Sequence, residues 1–176
     1  MPVTTRIATL EDIPQLNELI ALSVRGLSTE YYTPNQIESA IKYIFGVDTQ
    51  LIIDSTYYIA EADDVIVGCG GWSKQNTLYG GDQHKEIEDP LLDSKLDAAR
   101  IRAFFVHPDY ARQGIGRQII NVCEAAAVSA GFNSFELVAT LPGVPLYTVM
   151  GYVAIERIDA PLPDGEVLGI VKMRKG

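Results

Sequence analysis

The sequence predicts a single α/β domain over residues 1–176 with a mixed sheet, and three observations lead to this prediction. The length of 176 residues and the apolar fraction of 47% are those of one ordinary globular domain. The spacing of apolar residues changes between a period of about 3.6, typical of helices, and a period of two, typical of strands. The predicted order is a strand, two helices, a hairpin, a strand–helix–strand–helix series and two final strands, which is typical of an α/β domain.

The first strand is predicted over residues 3–8, and two helices follow it. Thr9 and Asp12 are typical of residues that cap the start of a helix. A stripe of apolar side chains at helical spacing comes next and would be buried: Ile13, Leu16, Leu19, Ile20 and Val24. The second helix is predicted to begin with Thr33 as its N-cap and Pro34 at its first position, where a missing amide hydrogen does no harm.

In the middle of the chain, the sequence pattern predicts an antiparallel hairpin and a long loop. Alternating apolar residues indicate strands over residues 57–62 and 65–72, and Asp63-Asp64 forms the turn between them. Residues 73–98 are mostly polar and are predicted to form a loop, and loops of that length are usually functional or mobile. A hydrophobic strand over residues 100–106 follows and would lie centrally in the sheet.

The last third of the chain predicts two helices and three strands. A long helix is expected over residues 114–130 and a short helix over residues 144–150, because each apolar pattern is followed by a glycine that can end a helix. Strands are expected over residues 135–139, 152–157 and 167–173, and the last two of them close the sheet.

The charge balance argues against large anionic partners. The chain has 14 Lys and Arg residues and 23 Asp and Glu residues, a formal net charge of −9, so it would repel nucleic acids and anionic membranes. A small anionic ligand is not excluded, because it responds to local charge only. No apolar stretch reaches the ~18–20 residues that span a bilayer, and the N-terminus lacks the apolar core of a signal peptide. We therefore expect a cytoplasmic protein with no nucleic-acid or membrane partner.

The two cysteines, Cys69 and Cys123, are too few for a disulfide framework. Both lie in apolar runs, so we expect them to be buried free thiols. Neither is proposed as a nucleophile, and no metal site is predicted.

The strongest functional signal is a glycine turn between the central strand and the long helix, Arg112-Gln113-Gly114-Ile115-Gly116-Arg117. Glycines let a ligand approach the backbone, and the free amides and positive dipole at a helix start suit a phosphate. Two arginines add positive charge, although a solvated helix start with surface arginines fits the composition equally well. The turn matches neither a Walker loop, which needs Lys where Arg117 stands, nor a dinucleotide fingerprint, because Ile119 occupies the third small-residue position.

This turn resembles motif A of the Gcn5-related N-acetyltransferase (GNAT) family. That motif reads Q/R-x-x-G-x-G/A at the start of the long helix, after a hydrophobic strand that ends near V-x-P. Here Val106-His107-Pro108 and Arg112 to Gly116 occupy those places, and the first motif position falls on Ala111 instead of Gln or Arg.

Two further segments resemble the same family. Residues 144–152 are similar to motif B, A-x-x-F-Y-x-x-x-G-F/Y, with Tyr147, Gly151 and Tyr152 in matching places. Leu146 replaces the usual Phe of that motif. The opening Arg6 to Ile13 is similar to the common first strand and helix start of the family, R-x-A-T-x-x-D, so the resemblance covers nearly the whole chain.

The resemblance implies a mostly antiparallel mixed sheet flanked by helices, with a splayed central pair of strands. It also implies transfer of an acetyl group from acetyl-coenzyme A to an amine without a covalent enzyme intermediate. By the same resemblance, the backbone of Phe105 and Val106 would pair with pantetheine, and the turn of residues 112–117, comprising Arg112, Gln113, Gly114, Ile115, Gly116 and Arg117, would hold the pyrophosphate. Tyr147 matches the tyrosine proposed as the general acid of the family. A phenol can play that role because its pKa of ~10 keeps it protonated at neutral pH.

The acceptor side of such a site is less well marked in the sequence. Glu61 is the candidate general base, with Glu136 as an alternative, and either carboxylate could simply be solvated on its strand. Tyr31, Trp72 and Tyr79 are the candidate acceptor-binding residues. These aromatics and the acidic residues of the 82–97 segment would favour a cationic amine, either a small molecule or a peptide. If the tyrosines only pack helices and the acids are solvated, that preference disappears.

Two functions remain open at this stage. The first is an acetyl-coenzyme A-dependent N-acetyltransferase, and Tyr147 favours it. The second is a non-catalytic acyl-coenzyme A-binding module that senses the cofactor or regulates a partner. Ala111 in motif A and the Leu141-Pro142-Gly143 turn, which replaces an Asn that often contacts the cofactor in the family, favour the second. A homodimer through residues 152–172 is compatible with either function.

Overall fold

A computed structural model of the protein describes residues 2–85 and 88–176. In this part of the chain the helices are α1 (Ile13–Leu27), α2 (Pro34–Tyr43), α3 (Thr49–Ile53), α4 (Ile115–Ser129) and α5 (Val144–Val149). The strands are β1 (Thr4–Ile7), β2 (Tyr57–Ala62), β3 (Val65–Ser73), β4 (Ala99–Val106), β5 (Phe135–Thr140), β6 (Val153–Pro161) and β7 (Val167–Lys175).

The predicted mixed and mostly antiparallel sheet is confirmed. Its seven strands lie in the order β1-β2-β3-β4-β5-β7-β6, and β4 and β5 form the parallel pair. The other neighbouring strands pair antiparallel. The sequence missed α3, because five residues are too few to show a helical period. It also ended the strand predicted over residues 152–157 too early, since β6 continues to Pro161 along β7.

The apolar core lies on both faces of the sheet. Helices α1, α2 and α3 cover one face through buried residues such as Leu16, Ile20 and Leu51. Helix α4 and α5 cover the other face, where Ile119 and Cys123 are fully buried against the strands. Full burial of one such aliphatic side chain stabilises a fold by ~1.5–3 kcal/mol. The sheet is therefore the middle of three layers, with helices on both of its faces.

The predicted start of α2 is confirmed in detail. The Thr33 side chain accepts a hydrogen bond from the Gln36 amide at 3.1 Å, and the Gln36 side chain accepts one from the Thr33 amide at 2.9 Å. This reciprocal arrangement satisfies two amides that have no partner inside the helix. The loop that leads into α2 is therefore fixed, and that loop forms one wall of the site described below.

The central strands β4 and β5 splay apart after a very short contact, as the family resemblance implied. Only Ala99 with Phe135 and Arg100 with Glu136 are paired, and the strands then diverge. A β-bulge in β4 accompanies the divergence, because Ala103 has a left-handed φ of +57° and shifts the register against β3. The Tyr57 hydroxyl donates to the Ala103 carbonyl at 2.7 Å and holds the bulge in place.

Both cysteines are free and buried, as predicted. Burial raises the pKa of the Cys69 thiol to about 12 and also raises that of Cys123 well above its ordinary value. Both thiols therefore stay protonated at neutral pH. In the described part of the chain, no helix combines the length and apolarity that crossing a bilayer requires.

Candidate active site

A cleft of about 930 Å³ opens between the end of α1, the turn before α4 and helix α5. This volume is near the upper end of the ~300–1,000 Å³ typical of small-molecule sites. The cleft brings together the predicted cofactor-binding residues with Tyr147 and Tyr31: Phe105, Val106, Arg112, Gln113, Gly114, Ile115, Gly116 and Arg117. The structure thus collects in one place the residues of motif A, motif B and the loop after α1.

The turn before α4 presents a row of backbone amides to this cleft. Helix α4 begins at Ile115, and its first hydrogen bond runs from the Gln118 amide to the Gly114 carbonyl at 3.0 Å. The amides of residues 112–117 donate to no other described residue. Free amides at the start of a long helix, at the positive end of its dipole, form a site for phosphate. Arg112 and Arg117 bring two positive charges to the same wall.

The glycines of this turn have different local roles. Gly114 has a left-handed φ of +83°, and a Cβ added there would meet no atom within 4 Å. The space in front of Gly114 is therefore open to a ligand. A Cβ added at Gly116 would lie 2.6 Å from Leu146, so this glycine lets α4 approach α5 closely. The free amides and the open space fit a pyrophosphate group such as that of coenzyme A.

The edge of β4 supplies further polar groups to the gap between the splayed strands. The His107 amide donates to the Val67 carbonyl of β3 at 2.8 Å, and Phe105 lies opposite Cys69. Backbone groups alternate in direction along a strand, so those of Phe105 face β3 and those of Val106 face the gap. Val106 is therefore placed to bond a ligand with its backbone. Phe105 is placed to contact the ligand with its side chain, which lines the cleft.

Tyr147 lies at the inner end of the cleft on α5. Its side chain is packed edge-to-face between the rings of Phe104 and Tyr152, with centroid distances of 6.3 and 5.9 Å. Tyr147 is 8% exposed, and its hydroxyl has no hydrogen-bond partner among the described residues. Burial raises the pKa of this phenol above its ordinary value of ~10. The hydroxyl is thus protonated and available to a ligand.

The remaining predicted site residues lie in different places. Tyr31 lines the cleft, and Tyr79 lines a smaller pocket that adjoins it. Glu61 and Trp72 line neither of these cavities. Glu61 forms an ion pair with Arg6 of β1, and Trp72 is buried on the α4 side of the sheet against Phe132, with a centroid distance of 6.0 Å. The catalytic and acceptor-binding roles of these four residues stay predictions.

The alternative base Glu136 is part of a charge cluster. Its carboxylate pairs with Arg100 at 3.1 Å, with Arg174 at 2.6 Å and with Lys172 at 3.7 Å. These cations join β4, β5 and β7 next to the short parallel contact. These ion pairs give Glu136 a structural role, because they connect strands β4, β5 and β7.

Phe45 and Thr140 are among the residues of the site that sequence reasoning missed. Phe45 lies in the loop between α2 and α3, where its ring packs edge-to-face on Phe105 at 5.8 Å. Thr140 ends β5. Both line the cleft at its junction with the smaller pocket. No local motif marks either residue, because they reach the site only through the tertiary fold.

The comparison with protein families decides what kind of domain this is. A family model described as "Acetyltransferase (GNAT) family" matches residues 22–152, well over half of the chain. The chain belongs to the GNAT family. The family suspected from motifs A and B is thereby confirmed. No curated protein gives a significant match to the sequence.

Solved structures of GNAT proteins share the fold of this chain. A GCN5-related N-acetyltransferase from Rhodopseudomonas palustris has a TM-score of 0.75 and 20% identity, with coverage of 100% of this chain and 96% of that one. The PaiA N-acetyltransferase from Thermoplasma acidophilum, solved with coenzyme A, has a TM-score of 0.69 and 17% identity over 99% of both chains. The YncA structure from Salmonella typhimurium, solved with acetyl-CoA, has a TM-score of 0.64 and 14% identity, covering 99% and 93%. At such identities the likeness shows the fold.

Proposed function

We propose that this GNAT protein transfers an acetyl group from acetyl-coenzyme A to a primary amine, with Tyr147 as the general acid. One observation carries the proposal: the Tyr147 hydroxyl, which has no hydrogen-bond partner among the described residues, lies in the same cleft as the row of free amides at residues 112–117. The complexes of PaiA with coenzyme A and of YncA with acetyl-CoA support it by similarity of fold. The acceptor would be the amine of a small molecule or of a peptide.

Each part of the cleft has a chemical task in this proposal. When bound, acetyl-coenzyme A supplies a thioester that an amine can attack directly. The amides of residues 112–117 and the two arginines of the turn bind the pyrophosphate. The backbone of Val106 orients the pantetheine arm along the open edge of β4. Tyr147 holds a proton on its hydroxyl at the inner end of the cleft, where it can be donated to the departing sulfur.

The acceptor amine must also lose a proton, and the cleft offers one carboxylate for this among the described residues. Glu30, in the loop after α1, lines the cleft. Glu61 faces Arg6 in its ion pair and lies outside the cleft. Glu30 is therefore the better placed candidate base. The cytoplasmic location and the homodimer stay predictions from the sequence.

The decisive experiment follows free thiol while the protein is incubated with acetyl-coenzyme A and a library of amines. We expect amine-dependent thiol release that saturates with both substrates. In Tyr147→Phe, kcat should fall by about 100-fold or more, since general acid catalysis commonly contributes 10²–10⁴-fold. The Kd for coenzyme A, measured by calorimetry, should stay unchanged. Tyr43→Phe, which removes a hydroxyl outside the cleft, is the matched control and should keep full activity.

The same experiment tests the non-catalytic alternative, which the alanine at the first position of motif A favours. Saturable binding of acetyl-coenzyme A without thiol release for any amine of the library would identify a cofactor-binding module. Equal kcat values for wild type and Tyr147→Phe would remove Tyr147 from the mechanism while leaving the transferase activity in place.

A further inference from the structure

A second cavity, of about 60 Å³, adjoins the cleft behind Tyr147. The residues that line both cavities form the junction between them: Phe45, Phe104, Phe105, Thr140 and Tyr147. The phosphate-binding turn of residues 112–117 lines the large cleft only. A ligand that reaches from that turn to Tyr147 therefore has the small cavity beyond its reactive end. We call this cavity the distal pocket.

The wall of the distal pocket is built by two loops that are bonded to each other. The Gly81 amide donates to the Ile44 carbonyl at 2.7 Å, and the Asp82 amide donates to the Val47 carbonyl at 2.9 Å. A Cβ added at Gly81 would lie 2.5 Å from the Gly46 carbonyl oxygen, so the loops touch through glycine backbone. This wall is fixed by hydrogen bonds and close packing, and it limits what the pocket can hold.

Most of the side chains that line the distal pocket are apolar, and none of the described residues that line it carries a charge. Apart from glycines and the junction residues, its lining consists of Ile44, Leu78, Tyr79, Ile101, Ala103 and Val138. A buried ion or dipole without partners costs several kcal/mol in such surroundings. An uncharged apolar group avoids that cost.

A positive charge lies directly behind the wall. Arg102 is 1% exposed and donates to the Gly80 carbonyl at 2.6 Å and to Asp48 at 3.1 Å. Lys85 pairs with the same Asp48 carboxylate, so two cations share one anion. The Nε and one terminal nitrogen of Arg102 have no hydrogen-bond partner in residues 2–85 and 88–176. A second ammonium group on an acceptor would find no carboxylate among the described residues that line the pocket, and the nearby Asp48 already pairs with both cations.

We propose that the distal pocket receives a small, uncharged, apolar substituent of the acceptor amine. The volume of about 60 Å³ suits a group of a few heavy atoms. The acceptor class is therefore a short alkyl amine or an amine that carries such an apolar group, which differs from the cationic amine expected from the sequence. This inference rests on the proposed acetyl transfer and adds the identity of the group next to the amine.

Three amines with the same chain of four carbons test the inference. They are n-butylamine, 1,4-diaminobutane and 4-aminobutanoate, which end in a methyl group, an ammonium group and a carboxylate. We expect kcat/KM for n-butylamine to exceed each of the others by about tenfold or more, because a charged end must be desolvated in the pocket. A higher kcat/KM for either charged amine, equal values for all three, or no turnover of any of them would overturn the inference.

A pair of variants tests whether the preference for an uncharged acceptor arises in the distal pocket. Leu78 lines this pocket and not the cleft. Leu78→Asp should raise the kcat/KM ratio of 1,4-diaminobutane to n-butylamine by about tenfold, whereas the uncharged isostere Leu78→Asn should leave the ratio near that of wild type. The Kd for coenzyme A should be the same in both variants. A ratio that does not differ between the two variants contradicts the assignment.

The two proposals fail in distinguishable ways. Absence of thiol release with every amine of the wider library, despite saturable cofactor binding, rejects the acetyl transfer itself. Thiol release with other amines but without the expected order of the three rejects only the assigned acceptor. The last measurement compares kcat/KM for acetyl- and propionyl-coenzyme A, which gives the acyl preference. If Leu78→Asp changes the acyl preference and leaves the amine preference unchanged, the pocket holds the acyl group and the inference is wrong.

Discussion

Gly114 affects both the backbone conformation of the turn before α4 and the access of a ligand to that turn. Its φ of +83° belongs to the left-handed region, in which a side chain costs about 1–2 kcal/mol. The space where a Cβ would stand is empty, and Gly114 lines the cleft together with the other residues of the turn. A substitution at this position should therefore affect both stability and ligand binding.

Gly165 allows these two effects to be separated. It lies in the turn between β6 and β7 with a φ of +91°, and a Cβ there would also meet nothing within 4 Å. Gly114→Ala and Gly165→Ala should each lower the free energy of unfolding by about 1 kcal/mol, measured with urea. Only Gly114→Ala should weaken coenzyme A binding, by about tenfold in calorimetry. Equal Kd values for the two variants would show that the ligand does not approach Gly114.

The motifs predicted the place of some site residues and not of others. The turn of residues 112–117 and Tyr147 could be located at the cleft because each belongs to a short motif on a helix start. The positions of Glu61 and Trp72 relative to the cleft could not be read from the sequence, because a period of two does not say which layer covers which face of the sheet. The ion pair of Glu61 with Arg6 joins residues on separate strands, and no local sequence pattern predicts it.

At the scale of single elements, the entry into α1 depends on one carboxylate. Asp12 accepts hydrogen bonds from the Thr9 amide at 2.7 Å and from two nitrogens of Arg6 at 2.8 Å each. The hydrogen bond with Arg6 is the main cause that lowers the pKa of Asp12 well below its ordinary value, against an opposing effect of burial. Asp12 thereby joins β1 to the start of the first helix.

This lowered pKa predicts a pH-dependent loss of stability. A carboxyl group whose pKa is lower in the folded state stabilises above its unfolded pKa of ~4, and that contribution disappears as the pH falls through the folded pKa. Asp12→Asn should lower the free energy of unfolding by about 1 kcal/mol at pH 7, a value that allows for the solvent exposure of Arg6. The difference from wild type in urea titrations should be smaller at pH 2.5. A difference of the same size at both pH values would contradict the role of the ion pair.

Elements with strong local signals were predicted well, and those without were not. The cap of α2 at Thr33 and Pro34 and the hairpin of β2 and β3 agree with the sequence. The bulge at Ala103 has no sequence signal, since an alanine gives no hint of a left-handed φ. It follows from tertiary contacts, including the hydrogen bond from Tyr57.

At the scale of the whole molecule, one hydroxyl links three distant parts of the chain. The Tyr32 side chain is buried in the loop after α1 and donates to the Gly169 carbonyl of β7 at 2.6 Å. It also accepts a hydrogen bond from the Leu141 amide at 3.0 Å, at the end of β5. Leu141 begins the turn that leads to Tyr147, and Tyr31 lines the cleft. Tyr32 is thus a positioning residue for both walls of the inner cleft.

Tyr32→Phe keeps the buried ring and removes both hydrogen bonds. We expect a loss of about 1–3 kcal/mol in the free energy of unfolding, because a buried carbonyl and a buried amide lose their partner. The kcat of acetyl transfer should fall several-fold, while the Kd for coenzyme A stays constant because the turn of residues 112–117 is untouched. Ser39→Ala, which removes a buried hydroxyl bonded to Asp164 at 2.8 Å, is the control for stability alone. Equal kcat values for both variants would refute the positioning role.

The overall architecture could be predicted because the order of helices and strands leaves few ways to build one α/β sheet. The strand order β5-β7-β6 and the two-residue contact of β4 with β5 could not be read from periodicity. The contacts around them, such as the ion pairs of Glu136 with Arg100 and Arg174, join residues that are far apart in sequence.

The short contact between β4 and β5 has a mechanical consequence for the whole protein. Strands β1 to β4 and strands β5 to β7 form two plates that are joined by two residue pairs along the sheet. A ligand that bonds along the open edge of β4 would lie in the seam between these plates and act as an additional strand. The cosubstrate would then be a temporary part of the sheet, and its departure would remove the hydrogen bonds that it adds across the seam.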